Sequence, residues 1–518
     1  MILGDAIERN ALCYARHPAI LFEGRTVTFG DYAARVRKLI DALTARGIGH
    51  QARLAILAQN CPEYVEIHGA AGLGGFVAAG VNYRLSAVEQ AEILRDCEPS
   101  VFVFDSQHAP RAAELQAALP AGTLMLCIGD TPAWAQSYES VLATGSDVAP
   151  QRRAGEDDTV FLIYTSGTTG RAKGVMLSNE GQLEQARIQA STHAAQQNDR
   201  MLIVMPFYHI GGTTELLTFF IVGATIVLHR AFDAGAILES IQNNCVTSAH
   251  LAPTMIQMMI EVQQQTPYDI SSLQTICYAS APMSVALARH ATAVFGPIFM
   301  QIYGMSEGGP ATALLKHQHF IEGSPKQTAR LASAGHPMFG FEVRVVRPDG
   351  SDCATNEIGE VWGRSRCLMQ GYWRNPEATQ AAIGNGWMHS GDMGYFDEEH
   401  YLFIADRKKD MIISGGENIY SREVEETLLL HPAVAEAAVI GIPDHKWGES
   451  VQAFVSLKQG AATTEAELVG HCRTMIASYK KPRSITFLDA LPRTLSTGKI
   501  DKKKLREPFW AGQDRHVT

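Results

Sequence analysis

Residues 164–174 combine side chains and backbone that can bind an anion. They read Tyr-Thr-Ser-Gly-Thr-Thr-Gly-Arg-Ala-Lys-Gly, with four Ser or Thr residues, three glycines and a lysine. Glycine lets backbone N–H groups turn toward an anion, Ser and Thr add donors, and Lys adds charge. The apolar run that precedes this stretch predicts a buried strand. The pattern therefore indicates a phosphate-binding loop at a strand end rather than an ordinary surface loop.

This loop differs from the Walker loop, which has Gly-Lys followed by Ser or Thr after a four-residue gap. Lys173 instead stands between Ala172 and a glycine, and the Gly-Lys pair that ends at Lys499 is followed by Ile500. The sequence therefore argues against a P-loop NTPase while still predicting phosphate binding.

Further segments place chemically useful residues at strand ends or turns. Residues 303–307, Tyr-Gly-Met-Ser-Glu, offer an aromatic ring for a nucleobase and a carboxylate for Mg²⁺. In the stretch 387–392 we expect a tight turn that presents Asp392 to ribose hydroxyls. Arg407 lies in a charged run, and Lys499 lies in a polar loop near the end of the chain. Each feature alone also suits a solvated turn, but the ordered set favours nucleotide chemistry.

Composition limits the class of protein. The chain has 518 residues, which predicts several domains, and its 46% hydrophobic and 19% charged residues are typical of a globular protein. A formal net charge of −10 argues against a general nucleic-acid binder. The nine cysteines include no Cys-x-x-Cys pair, which predicts reduced thiols in the cytoplasm. We expect neither a signal peptide nor a transmembrane segment.

Helical and strand patterns alternate along most of the chain. Residues 31–46 have helical spacing, 101–104 and 225–228 read as strands, and 342–361 read as a small β-rich unit. A final βα region begins with a helix at 421–430. This alternation predicts layered α/β sheets with ligands at the carboxyl ends of the strands.

The ordered motifs resemble those of the adenylate-forming superfamily, which includes acyl-CoA synthetases, adenylation domains of peptide synthetases and firefly luciferase. The resemblance covers nearly the whole chain. It implies an α/β fold with a large N-terminal AMP-binding domain over residues 1–408, built of layered subdomains and a small β-rich unit. A small mobile α+β C-terminal domain would follow over residues 410–518, with the hinge at Lys409.

The resemblance also implies an AMP-forming acid–thiol ligase. The acid would attack the α-phosphorus of MgATP to give acyl-AMP and pyrophosphate, and the thiol of coenzyme A would then displace AMP. ATP, Mg²⁺ and CoA are therefore the expected cofactor and co-substrates. We expect a cytoplasmic enzyme that acts on a small carboxylic acid and not on nucleic acid, and a homodimer is compatible with this reading.

Functional residues of the family carry over onto matching positions. The catalytic set is Lys499, Glu307, His209 and Lys409, with Lys499 stabilising charge at the α-phosphate, Glu307 holding the metal and His209 gating the acyl and CoA tunnels. The ATP and AMP set is Thr165, Ser166, Gly167, Thr168, Thr169, Gly170, Lys173, Ser280, Ala281, Pro282, Tyr303, Gly304, Met305, Ser306, Asp392 and Arg407. The CoA set is Gly415, Gly416, Glu417, Trp447, Lys480, Lys481 and Arg483. The acyl-pocket set is Phe207, Tyr208, Ile210, Gly211, Tyr278, Gly304, Gly308 and Gly309.

The pocket residues bear on the choice of acid. Acetate-type members carry a bulky Trp at the position of Gly304, so the pocket here should be larger, and Gly308 and Gly309 should add room. The pocket segments contain no Arg or Lys that could pair with a second substrate carboxylate. We therefore expect a medium-chain, aromatic or alicyclic acid. A free-standing enzyme that loads a carrier protein, a luciferase-like oxidative enzyme and a non-enzymatic binding protein stay as alternatives.

Overall fold

The computed structural model describes residues 1–150, 153–166, 172–279, 283–309, 311–415, 417–494 and 499–510. By its internal contacts the chain divides into two compact units. The first unit comprises Met1–Val343 and Trp362–His389, and the second comprises Arg344–Val361 and Ser390–Thr518. The predicted hinge residue, Lys409, lies inside the second unit, so the domain bounds stay a prediction.

The strands are numbered in chain order. They begin with β1 Pro18–Phe22, β2 Arg25–Thr28, β3 Arg53–Leu57, β4 Val77–Gly80, β5 Val101–Asp105, β6 Leu124–Ile128, β7 Gln136–Ser137, β8 Thr159–Ser166, β9 Ala172–Ser178, β10 Arg200–Ile203, β11 Thr225–Leu228, β12 Ser248–Leu251, β13 Thr275–Tyr278 and β14 Phe299–Tyr303. They continue with β15 Thr312–Leu314, β16 His336–Pro337, β17 Glu342–Val346, β18 Gly359–Arg364, β19 Gly371–Tyr372, β20 Ile383–Gly384, β21 Trp387–Phe396, β22 Leu402–Arg407, β23 Ile412–Ser414, β24 Glu417–Ile419, β25 Val434–Asp444, β26 Gly448–Leu457 and β27 Ser484–Phe487.

The α-helices alternate with these strands. They are α1 Leu3–Cys13, α2 Phe29–Ala45, α3 Pro62–Gly74, α4 Ala87–Cys97, α5 Ala109–Leu115, α6 Tyr138–Leu142, α7 Asn179–His193, α8 Ile210–Phe220, α9 Ala234–Asn244, α10 Pro253–Gln265, α11 Val285–Phe295, α12 Pro325–Ala329, α13 Pro376–Ala382, α14 Ser421–Leu429, α15 Glu465–Met475 and α16 Lys502–Trp510. Within the described ranges, none of these helices combines the length and the apolar character that a membrane span requires.

Two sheets organise the first unit. A nine-stranded sheet has the order β16-β15-β14-β13-β12-β10-β11-β1-β2, and an eight-stranded sheet has the order β19-β9-β8-β4-β3-β5-β6-β7. Their central pairs, such as β12 with β13 and β3 with β4, are parallel. Parallel strands bring their carboxyl ends to one edge of a sheet, where ligands commonly bind. The α/β fold predicted from the alternating pattern is confirmed.

Strand alternation in the nine-stranded sheet separates an apolar face from a polar one. On β12 and β13, Ala249, Leu251 and Ile276 belong to the hydrophobic core that also contains residues of α9, α10 and α11. Successive side chains of a strand point to opposite faces. His250 and Cys277, which pair across the two strands, therefore face the other way.

The second unit contains a smaller sheet with the order β24-β23-β26-β25, and β27 pairs with β26. The long strands β25 and β26 form an antiparallel hairpin from Val434 to Leu457. Buried residues of α14 and α15, among them Val424 and Leu468, complete its core. In the same unit β22 pairs with the second half of β21. The mixture of helices and antiparallel strands agrees with the α+β unit expected at this end of the chain.

Candidate active site

Strands β8 and β9 form an antiparallel hairpin around the predicted phosphate loop. Thr165 pairs with Lys173 across the hairpin, so both residues lie at the base of the loop. The residues Gly167, Thr168, Thr169 and Gly170, and the side chain of Ser166, lie outside the described part of the structure. Val160 and Phe161 of β8 are fully buried, which anchors the hairpin in the sheet. The buried strand predicted before this stretch is therefore present.

A buried carboxylate lies near this hairpin. Glu307 is 8% exposed, and its Oε1 accepts a 2.8 Å hydrogen bond from the hydroxyl of Tyr372. The backbone also connects the two regions, since the Met369 N–H donates to the Glu307 carbonyl at 2.9 Å. Strand β19 pairs with β9, which brings Tyr372 opposite Val175 of the hairpin. The fold thus connects the predicted metal ligand, through Tyr372, to strand β9 of the hairpin.

Tyr372 also contacts the lysine of the hairpin. The Nζ atom of Lys173 lies 5.0 Å from the centre of the Tyr372 ring. Burial and then the charge of Glu307 raise the pKa of Tyr372, so the phenol stays a neutral donor to the carboxylate. Sequence reasoning missed this residue. The only signal was a short Gly-Tyr-Trp run at 371–373, which also fits a turn with buried aromatic rings.

The predicted adenine-binding residues lie at the end of β14. Tyr303 is the last residue of this strand and pairs with Thr312 of β15. Gly304, which follows it, is exposed, and Met305 and Ser306 are half-buried. Ser280, Ala281 and Pro282 lie outside the described residues. The described part of this set therefore follows the carboxyl end of a strand, as expected for a nucleotide-binding edge.

The predicted gate and pocket residues surround the start of α8. His209 is the N-cap residue of this helix, and Ile210 and Gly211 form its first turn. Phe207 and Tyr208 precede it and are buried.

Tyr278 of the predicted pocket is 1% exposed. Its hydroxyl interacts with Gln301 Oε1 at 3.3 Å and with His319 Nε2 at 3.0 Å. The polar atom of Tyr278 is therefore already used inside the protein, and its role in acid binding stays a prediction.

We expected Gly308 and Gly309 to leave free space for the acid. The structure contradicts this expectation, because neighbouring atoms already fill that space. A Cβ atom on Gly308 would lie 1.9 Å from the Cys367 carbonyl oxygen, and one on Gly309 would lie 3.0 Å from a methyl group of Leu368. Gly308 also has φ 84°, a conformation that favours glycine. The space beside these glycines is occupied by the segment that leads to β19. Their membership of the acyl pocket stays a prediction.

Asp392 and Arg407 form a cross-strand pair in the second unit. They are direct partners in the β21–β22 ladder, and the Arg407 Nε atom lies 3.2 Å from Asp392 Oδ1. The expected tight turn at Asp392 is wrong, because the residue belongs to the continuous strand β21, although Gly391 before it has φ 69°. Strand pairing, rather than a turn, brings the two predicted ribose-binding residues together.

Two predicted catalytic lysines lie in the electrostatic environment of this pair. Loss of hydration lowers the pKa of the Lys499 ammonium, repulsion by Arg407 and Lys409 lowers it further, and Asp392 acts in the opposite direction. Burial likewise lowers the pKa of Lys409. Arg407, Lys409 and Lys499 therefore lie close together, with Asp392 and Asp410 as their neighbouring carboxylates. Such an excess of positive charge is favourable when an anion such as a phosphate is bound.

Three of the predicted CoA-binding residues lie together. The Gly415 N–H donates to the Trp447 carbonyl at 2.7 Å, and the Arg483 guanidinium carbon lies 5.6 Å from the Trp447 ring centre. Lys480 is instead paired with Glu423 at 2.8 Å. Glu417 begins β24 and is exposed, Lys481 is half-buried, and Gly416 lies outside the described residues. The structure thus groups Gly415, Trp447 and Arg483, and Arg483 is also paired with Asp444 at 3.3 Å.

The AMP-binding enzyme family matches residues 7–373, and the C-terminal domain of AMP-binding enzymes matches residues 423–499. A feruloyl-CoA synthase from Amycolatopsis sp. is 37% identical over 510 residues, which cover 98% of this chain and 99% of that protein. An indoleacetate–CoA ligase from Aromatoleum aromaticum is 35% identical over 513 residues, with 98% of each chain covered.

A solved structure extends this likeness to the fold. The O-succinylbenzoate coenzyme A synthetase of Bacillus subtilis, determined in complex with AMP, is 31% identical and covers 96% of this chain and 97% of its own. The TM-score between the two is 0.84. The chain therefore belongs to the AMP-binding enzyme family and is an acid–thiol ligase of the AMP-forming acyl-CoA synthetase type.

Proposed function

We propose that this chain activates an aromatic monocarboxylic acid with MgATP and transfers the acyl group to CoA. The choice of acid rests on the names of two relatives that match 98% of this chain. Both are named as CoA ligases of aromatic acids. Gly304 supports it, because a glycine there leaves room for a ring. The absence of Arg and Lys from the pocket segments favours an acid with one carboxylate.

In the first half-reaction a carboxylate oxygen of the acid attacks the α-phosphorus, and pyrophosphate leaves. The acid needs no general base, because it is already an anion at pH 7. Lys173 would bind the outgoing phosphates, and Asp392 with Arg407 would bind the ribose. Lys499 would stabilise the charge that builds up on the α-phosphate oxygens in the transition state. The crowded positive charge around Asp392 supports an anionic ligand at these residues.

Glu307 fits a role as the protein ligand of Mg²⁺. This cation prefers carboxylate and phosphate oxygens and retains several waters. The Glu307 carboxylate is buried and accepts a hydrogen bond from the neutral phenol of Tyr372. Bound Mg²⁺ would neutralise phosphate charge. Tyr372 would hold the carboxylate in one orientation for it.

In the second half-reaction the CoA thiolate attacks the acyl carbon, and AMP leaves. Gly415, Trp447 and Arg483 would bind CoA, with Trp447 stacking on its adenine and Arg483 contacting a phosphate. Their grouping in the second unit supports this assignment. Lys480 and Arg483 are ion-paired with Glu423 at 2.8 Å and with Asp444 at 3.3 Å, so a CoA phosphate would compete with a carboxylate for either cation.

A substrate screen tests the choice of acid. Pyrophosphate release should be measured with ferulate, indole-3-acetate, benzoate, cyclohexanecarboxylate and octanoate, each with and without CoA, and with the Lys499→Ala variant as blank. We expect kcat/KM for the best aromatic acid to exceed that for octanoate by about tenfold or more, the scale of discrimination that pocket shape provides. Octanoate as the best substrate would contradict the aromatic proposal but leave the ligase reaction intact.

The same assay distinguishes free CoA from a carrier protein as the acceptor of the acyl group. A phosphopantetheinylated carrier protein, supplied in place of CoA, tests the alternative of carrier loading. Oxygen consumption and light emission with the preformed acyl-AMP test the luciferase-like alternative. We expect rapid thioester formation with free CoA. Faster transfer to the carrier protein would reassign the acceptor.

A further inference from the structure

Four buried side chains that the ligase reaction does not use lie together inside the first unit. His193 Nε2 lies 3.6 Å from Glu215 Oε1, and His250 Nδ1 lies 3.4 Å from the same oxygen. Ligand atoms of His193, Glu215 and Cys277 all lie within 4.8 Å of one another. We call these four residues the His-Glu-Cys cluster. It contains two imidazoles, one carboxylate and one thiol, all of them metal-ligating groups.

The cluster joins four separate elements. His193 ends α7, Glu215 lies on α8, His250 lies on β12 and Cys277 lies on β13. His250 and Cys277 are direct cross-strand partners, on the face opposite the apolar core. All four residues are less than 10% exposed. The cluster is therefore assembled by tertiary structure.

Many polar atoms of the cluster have no hydrogen-bond partner among the described residues. Both ring nitrogens of His193, both ring nitrogens of His250 and Oε2 of Glu215 are in this position. Leaving a buried polar group without a partner costs about 1–3 kcal/mol. Five such atoms at one place require an explanation, which for native proteins is commonly a bound water or ion.

From this geometry we infer that the His-Glu-Cys cluster binds a divalent transition metal, with zinc as the best match. Zn²⁺ takes four ligands from imidazole nitrogen, thiolate sulfur and carboxylate oxygen, which is the donor set present. The thiol of Cys277 would release one proton to solvent on binding, and both imidazoles would bind as neutral ligands. The charges of Zn²⁺, one thiolate and one carboxylate then sum to zero. A neutral site suits a fully buried position.

The location points to a structural role. His193, Glu215 and Cys277 supply three ligand atoms close enough together for one ion, and His250, whose Nδ1 lies 3.4 Å from Glu215 Oε1, would have to move toward the ion to become the fourth ligand of a closed structural site. A Cβ atom on Gly211 would lie 3.3 Å from His250 Cε1, so the cluster lies directly beneath the first turn of α8. Glu215 is one turn further along the same helix. The metal would therefore hold α8, whose N-cap residue is His209, against strands β12 and β13 of the sheet. This site is separate from Glu307.

Two alternatives to a metal could explain the His-Glu-Cys cluster, and the experiment distinguishes them. A proton shared between Glu215 and one histidine would give a buried ion pair without metal. A water molecule could also bridge the nitrogens. Neither would bind cobalt or release a metal on chelation, so metal analysis separates them from the proposal.

The experiment begins with the full-length protein purified without chelator or affinity metal. Mass spectrometry of the metal content should find about one zinc per chain, as for a closed four-ligand site. Reconstitution with Co²⁺ after chelator treatment should give a thiolate-to-cobalt absorption band. The melting temperature should fall on chelation and recover when Zn²⁺ is added back. Folded wild-type protein that contains no metal and takes up neither Zn²⁺ nor Co²⁺ would overturn the proposal.

Variants identify the ligands. Cys277→Ser should lose the thiolate-to-cobalt band and most of the bound metal, and His193→Gln should lose metal with it. Cys97→Ser is the matched control, because Cys97 is equally buried but lies in a different core. The control should retain its metal even where it lowers the melting temperature. Equal metal content in all three variants would show adventitious binding and contradict the assigned site.

Discussion

Glu307 in the first unit accepts a hydrogen bond from the neutral phenol of Tyr372, whereas Asp392 in the second unit is surrounded by Arg407, Lys409 and Lys499. The first carboxylate is buried and oriented before any ligand binds. The single negative charge of the second carboxylate is outnumbered by the positive charges of the three cations near it. We call these two parts the Glu307 region and the Asp392 region.

The difference shows what each region can contribute. An oriented carboxylate beside a neutral donor keeps its charge for a metal cation. A carboxylate among three cations leaves an excess of positive charge that a phosphate would neutralise. These features support the proposed roles of Glu307 in binding a cation and of Asp392 and its neighbours in binding an anion. In the proposed reaction the cation would be Mg²⁺ and the anion a phosphate of ATP.

The largest expected effect comes from the Asp392 region. Lys499→Ala should reduce the rate of adenylate formation about a thousandfold, the cost of removing one charge-stabilising donor from a transition state. Transfer from a supplied acyl-AMP to CoA should stay largely intact. The measurement is single-turnover pyrophosphate release beside thioester formation from synthetic acyl-AMP. An equal loss in both halves would contradict the assigned role.

Glu307→Gln tests the other region. The substitution keeps the size of the side chain and its acceptor oxygen but removes the charge that would bind Mg²⁺. We expect adenylate formation to slow about a hundredfold, with higher Mg²⁺ required for half-maximal rate. A Mg²⁺ titration at fixed ATP measures both quantities. An unchanged Mg²⁺ requirement would remove Glu307 as the metal ligand.

Much of the scaffold could be predicted from the sequence. The helices expected at 31–46 and 421–430 correspond to α2 and α14, and the strand expected at 225–228 corresponds to β11. These segments have a clear apolar period, and local periodicity is the main signal that a sequence contains.

The site contacts were harder to predict, because they arise between distant segments. Tyr372 reaches Glu307 only because β19 pairs with β9, and no local pattern specifies that pairing. Gly308 looked like pocket space, but the backbone of Cys367 fills it. The turn expected at Asp392 is a strand, since pairing with β22 decides the conformation there. Tertiary contacts therefore outweighed local composition at each of these positions.

Gly415→Val tests the second half-reaction. The new Cβ atom would lie 2.6 Å from the Trp447 ring, and φ 62° at this position disfavours any side chain. We expect CoA transfer to slow about a hundredfold through misplacement of this segment, with adenylate formation preserved. Gly460→Val is the matched control, because Gly460 has φ 76° but a Cβ atom there meets nothing within 4 Å. Normal thioester synthesis by Gly415→Val would argue against CoA binding at this segment.

A smaller effect is expected for Tyr372→Phe, which removes the hydrogen bond to Glu307 but keeps the ring beside Lys173. The loss of one hydrogen bond to a charged group, about 1.5 kcal/mol, corresponds to about a tenfold slower adenylate formation. The requirement for Mg²⁺ should rise, because the carboxylate is no longer oriented. Tyr138→Phe is the control, since Tyr138 donates a similar 2.8 Å hydrogen bond to Glu66. Equal effects of the two substitutions would point to a general loss of stability.

The smallest effect is a pH dependence that distinguishes the two regions. The pKa of Lys499 is lowered, so its ammonium loses its proton at a lower pH than an ordinary lysine does. Since the charged form stabilises the transition state, kcat/KM for ATP in adenylate formation should fall as pH rises through that lowered pKa. The pKa of Tyr372 is raised instead, so its phenol should not titrate in this range. Lys499→Arg provides the test, because a guanidinium stays protonated at every accessible pH. The variant should be slower but should lack the alkaline decline, and an identical decline in both proteins would assign it to another group.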